Sequence, residues 1–155
     1  MNRPARMEAD RTHVVVRNLQ RSILVEVAAL EAFAQRAMAA CAALPGRRLF
    51  PAGEVAVLIV SDRRMAALHR QFMNIAGPTD VITFQHGEVL ISAQTAQRHA
   101  RTFRNSLVRE LQLYIVHGFL HLRGFDDTKP AEARRMQNLQ EKILRRIAGR
   151  GPKPS

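Results

Sequence analysis

Residues 117–127, HGFLHLRGFDD, hold the side chains of this chain best suited to chemistry. His117 and His121 are four positions apart, which on an α-helix puts them one turn apart on one face, about 6 Å along the axis. Both imidazoles can then reach one ion. Gly124 follows three residues later, where a residue without Cβ can end the helix in a left-handed conformation and reverse the chain. That reversal brings Asp127 back toward the histidines. The spacing H-x-x-x-H-x-x-G-x-x-D thus supplies three protein ligands and leaves one coordination position for water, as catalytic zinc sites do. Two histidines one turn apart also occur as plain surface or core residues, and Asp126 or Asp127 could cap a helix starting near Pro130. The glycine and the carboxylate at matching offsets favour the metal. Gly118 stands where H-E-x-x-H proteases carry their glutamate base, which argues against a protease.

Composition narrows the rest. The 155 residues suit one domain and one active site, and a hydrophobic share of 46% is ordinary for a globular chain. Cys41 is alone, which excludes an intramolecular disulfide and a cysteine-based zinc ribbon, so any metal falls to histidine and carboxylate. The opening MNRPARMEADRTH lacks the apolar run of a secretory signal, and no run approaches the roughly 18 residues of a membrane span. A soluble, cytoplasmic protein is expected. The formal net charge of +11, from 24 Lys and Arg against 13 Asp and Glu, predicts salt-dependent attraction to a polyanion, with RNA first. A coding bias toward arginine would give the same excess. The basic helix near residues 131–148 has its apolar positions spaced for a core rather than for a membrane surface.

The elements that must position the site read as follows. Residues 1–12 and the tail 149–155 are polar or Gly/Pro-rich and are expected to be loose, leaving one domain over 13–148. The β-branched HVVVR (13–17) predicts a first strand. Ser22 offers an N-cap for a core-packing helix over 23–43, in which Ile23, Val27, Leu30, Ala34, Met38 and Cys41 recur at helical spacing before Pro45 and Gly46. EVAVLIV (54–60) suits a strand covered on both faces, followed by cap candidates Ser61 and Asp62 and a short helix over 63–73. Gly77 and Pro78 lead into strands 81–85 and 89–92, with His86 and Gly87 turning the hairpin. Helices over 93–102, 106–122 and from Pro130 complete an α+β domain, a mixed sheet of about four strands with helices packed on it.

The 117–127 segment also resembles the YbeY family, bacterial metal-dependent endoribonucleases of ribosomal RNA maturation and ribosome quality control, whose signature runs H-G-x-L-H-L-x-G-[FY]-D-H. His117, Gly118, Leu120, His121, Leu122, Gly124, Phe125 and Asp126 match it, with Asp127 at the final position. Glu110-Leu111, PTDVITF (78–84) and GEVLIS (87–92) are similar to further family segments, so the resemblance runs from about residue 54 to 147. It implies phosphodiester hydrolysis in RNA with one divalent ion, zinc first, held by His117, His121 and Asp127. It also implies substrate contacts at Arg70, Thr79 and Asp80, acid or base roles for Asp126 or Glu88, and as partners the RNA of the small ribosomal subunit and ribosome-assembly proteins.

Two departures stand out. The family's last ligand is histidine; Asp127 brings a negative charge, a harder donor and a shorter reach, which is expected to make bound water less acidic and to move preference toward iron or manganese. Before Pro78 the family's R-G-K-D is replaced by Met73, Asn74, Ile75 and Ala76. That loss favours a second reading, an RNA-binding assembly factor whose metal is structural. A metal-dependent hydrolase of a small molecule is a third. Glu110 reads equally as support for the histidines or as a structural carboxylate, His86 and His99 as surface residues, and Thr79 and Asp80 as turn formers no less than substrate contacts.

Overall fold

The computed structural model describes residues 12–45, 48–77 and 79–149. The elements are β1 (Thr12–Asn18), α1 (Val27–Ala42), β2 (Gly53–Val60), α2 (Asp62–Met73), β3 (Val81–Phe84), β4 (Glu88–Ser92), α3 (Ala93–Thr102), α4 (Leu107–Leu122) and α5 (Pro130–Ala148). The four strands form one sheet in the order β1-β2-β4-β3. β1 with β2 and β2 with β4 are parallel, and β3 closes the edge antiparallel to β4.

The sheet is covered on both faces, as the unbroken apolar run of β2 requires. Successive side chains alternate: Val55, Val57, Ile59, Val89 and Ile91 face the large core shared with α1, α4 and α5, where Phe33, Met38, Ile115, Phe119 and Met136 are buried. Val60, Ile82 and Leu90 face the other way, onto Met65 of α2, with Leu58, Leu68 and Phe84 packed around them. Consequently α4, which carries both histidines, and α2, which carries Arg70, lie on opposite faces.

Several sequence boundaries move. The first strand begins at Thr12, which pairs with Gly53 and whose hydroxyl donates to the Pro51 carbonyl at 2.9 Å; residues 1–11 and 150–155, expected to be loose, lie outside the described residues, as do Gly46 and Pro78. The first helix starts at Val27, not residue 23, and Ser22 does not cap it: the N-cap position is Glu26, with no side-chain cap. The Gln20 amide explains the shift, since its Nε2 donates to the Ile23 carbonyl at 2.7 Å while its Oε1 accepts from Ile23 N–H at 2.9 Å. Those bonds hold Ile23 in a loop, yet it is buried at 8% exposure, so its apolar signal reported burial rather than helix. The strand expected to end at Gln85 ends at Phe84, because Gly87, with φ +122°, closes a three-residue turn by donating to the Phe84 carbonyl.

Candidate metal centre

Ser106 starts α4 by accepting from Arg109 N–H at 3.0 Å, satisfying one of the helix's orphan donors. Gly118 sets how closely the helix lies on the sheet: a Cβ there would meet Val89 Cγ1 at 2.4 Å, so only glycine lets α4 seat at this depth. At the other end the chain turns through Gly124 at φ +88°, the left-handed conformation its position called for. Arg123, 3% exposed, anchors this turn. Its guanidinium donates to the Leu44 carbonyl at 2.6 Å and lies over the Phe50 ring at 5.8 Å.

These constraints bring His117, His121 and Asp127 together. Each imidazole is held from behind. His117 Nδ1 hydrogen-bonds to Gln140 Oε1 of α5, and His121 Nδ1 to the Phe125 carbonyl at 3.0 Å. An amide oxygen and a carbonyl can only accept, so both Nδ1 atoms carry the proton and, in the neutral rings, both Nε2 atoms present lone pairs. Those two Nε2 atoms are 3.0 Å apart, with Asp127 Oδ2 at 3.6 Å from one and 3.7 Å from the other. Two lone pairs facing each other cannot bond to one another. They and the carboxylate suit a shared cation, for tetrahedral ligands at about 2.0–2.1 Å stand roughly 3.3 Å apart. The donor set therefore fits a divalent ion of the zinc, iron or manganese type.

Burial, the nearby His117 and the opposing pull of Asp127 act together on His121, and the net effect is a proton affinity below the ordinary imidazole value, with desolvation the largest cause. The neutral, ligating form is favoured. The side chains of His117 and His121 are 28% and 24% exposed and Asp127 42%, so the cluster opens to solvent on the aspartate side.

The other sequence candidates are not brought into the cluster. Asp126 shapes the loop instead: its carboxylate accepts from Asp127 N–H at 2.8 Å and from the Thr128 hydroxyl at 3.1 Å, and these bonds hold it below the usual carboxylate range. Glu88 shares the sheet face of Leu90, away from α4, and lies 2.5 Å from His86 Nε2. Arg70 is exposed on α2. Thr79 and Asp80 lead into β3 through a bend at Asp80, whose Oδ1 accepts from Val81 N–H at 2.8 Å and from the Thr79 hydroxyl at 3.4 Å. Glu110, 3% exposed, accepts from the Asn105 amide at 3.1 Å and is a structural carboxylate. His99 departs from the surface reading; it is half-buried and bonded through Nδ1 to the Tyr114 hydroxyl at 2.7 Å.

Sequence reasoning missed Gln140 and Arg123. Gln140 follows Met136 by four residues and precedes Leu144 by four, on the core face of α5. A polar residue at that phase was the available signal. Arg123 carried none, because an arginine after a helix reads as a solvated C-terminal charge.

Comparison with known proteins agrees with this architecture. The family model described as endoribonuclease YbeY matches residues 15–148. Proteins named endoribonuclease YbeY from an Anaeromyxobacter species, Leifsonia xyli and Thermobifida fusca are 39%, 39% and 36% identical, over 59%, 61% and 65% of this chain. The chain spans 53% of the length of the first and 72% and 76% of the others. The solution structure of TM1509 from Thermotoga maritima superposes with a TM-score of 0.62 at 24% identity, over 88% of this chain and 89% of that one, and so shares the fold. With a model match spanning nearly the whole described domain, this chain belongs to the YbeY family.

Proposed function

We propose that this chain is a metal-dependent endoribonuclease that hydrolyses single-stranded RNA, with ribosomal RNA of the small subunit as its substrate and the cytoplasm as its place of work. The observation that carries the reading is the pair of Nε2 lone pairs 3.0 Å apart, each fixed by a hydrogen bond to the opposite ring nitrogen. The names of the relatives supply the substrate class, and a net charge of +11 suits a polyanion.

His117, His121 and Asp127 would hold the ion. A divalent ion there would supply Lewis acidity, lowering the pKa of water toward neutrality and offsetting charge that develops on phosphate. The chain's own residues prepare that chemistry. Gln140 and the Phe125 carbonyl keep both imidazoles oriented with Nε2 toward the site, so neither ring must rotate on binding. Asp127 adds one negative charge on the solvent-exposed side of the cluster. Zinc is the first choice, and the carboxylate makes iron or manganese the alternatives.

The test is cleavage of single-stranded ribosomal RNA and of small-subunit particles, with and without chelator. The metal-loaded protein should cut, chelator should stop it, and His121→Ala should abolish cutting while leaving RNA affinity nearly intact. If fully loaded protein binds RNA but never cuts it, the assembly-factor reading replaces this one.

A further inference from the structure

On the sheet face away from α4, the inward stripe of α2 runs Met65, Leu68, Phe72. Met65 is fully buried and Leu68 packs beside it, but Phe72 is 56% exposed. Its ring meets Phe84 edge to face, centroids 5.1 Å apart at 76°. Phe84 in turn stacks with His86, at 5.8 Å and 25°. The His86 ring is braced by Glu88 at 2.5 Å, and its neighbour Gln85 accepts from the Arg48 guanidinium at 2.6 Å. Three rings from a helix end, an edge strand and a turn are thereby gathered at one margin of the sheet, Phe84 and His86 nearly parallel and Phe72 set edge to face against Phe84. The Arg48 guanidinium meets the same turn through Gln85.

We propose that Phe72, Phe84 and His86 form a stacking platform for unpaired bases of single-stranded RNA, with Arg48 meeting an adjacent phosphate. Aromatic faces accept any base, and a neighbouring cation tracks the backbone, which is how sequence-tolerant single-strand sites are built. Met73 and Ile75, 49% and 51% exposed, extend the apolar margin. An apolar patch alone would equally suit a protein; the Arg48 guanidinium, held on the same turn by Gln85, and the net charge of +11 favour the polyanion. This inference rests on RNA being the ligand and adds where its bases lie.

The chain has no tryptophan, so Phe72→Trp creates a single fluorescent reporter in the platform itself. Titration with a single-stranded oligonucleotide should quench that fluorescence, whereas the matching duplex should not. Phe72→Ala should weaken single-strand affinity about tenfold, with unchanged metal content and unchanged dependence on salt. Replacing the oligonucleotide's bases by abasic sites should erase the difference from wild type. Arg48→Ala should instead lower the log–log salt slope by about 0.7. The platform is refuted if Phe72→Trp is not quenched at saturating RNA, or if Phe72→Ala binds single strands as wild type does, which would leave the patch to a protein contact. Failure of wild type to bind any RNA would overturn the functional reading itself, a separate result.

Discussion

His117 and His121 reach the cluster from a buried helix with each ring clamped from behind, whereas Asp127 reaches it from an exposed loop whose shape depends on hydrogen bonds to Asp126. The difference separates two jobs. Clamped imidazoles fix where an ion sits and keep their lone pairs aimed at it, so they should dominate affinity. A carboxylate on a loop, 42% exposed, would adjust its distance to what is bound. Its contribution should be smaller and should show mainly in which metal is preferred.

The largest break in that contrast is His117→Ala or His121→Ala. Either leaves two ligands, and the ion measured per chain should fall from about one to near zero, an affinity loss beyond a hundredfold. Full occupancy in both variants would remove the site. Gln140→Leu tests the clamp without touching a ligand. Losing the partner of a ligating imidazole typically costs 10–100-fold in metal affinity, so a titration should show a loss in about that range with the fold intact by circular dichroism; no change would mean the Gln140 contact does not orient His117.

Asp127→Ala should weaken binding by about tenfold, less than either histidine, and Asp127→His should restore it and favour zinc over manganese, because imidazole is the softer donor. Competition between the two metals measures both effects. Should Asp127→Ala cost as much as His121→Ala, the loop is not the lesser partner. The smallest effect concerns pH. Because His121 binds its proton less readily folded than unfolded, the unfolded chain takes up more protons as pH drops below about 6.5. Metal-free protein should therefore lose stability on acidification below that point and show no gain from this group above it. Denaturant melts of wild type and His121→Asn across that range should differ in slope.

What the sequence disclosed followed from the range of the interactions. The histidine pair was legible because four residues fix one helix face, and Asp127 because Gly124 dictates a local reversal. Gln140 lies 23 positions from His117, and a contact made by two helices packing has no local spacing to announce it. Glu88 could not be placed from the sequence alone: alternation along β4 assigns it to the face of Leu90 only once Val89 is seen to lie beneath Gly118. Ser22 misled because serine caps are a propensity, and the Gln20 side chain supplied bonds that made a loop the better use of Ile23.

The most direct test of the claim that these three side chains form a metal centre is X-ray absorption spectroscopy on protein loaded with one equivalent of zinc. The account predicts a shell with two imidazole nitrogens and at least one carboxylate oxygen at about 2.0–2.2 Å, with the imidazole scattering lost in the His117→Ala/His121→Ala double variant. An unchanged shell in that variant, or a wild-type ion bound through no imidazole, would contradict it.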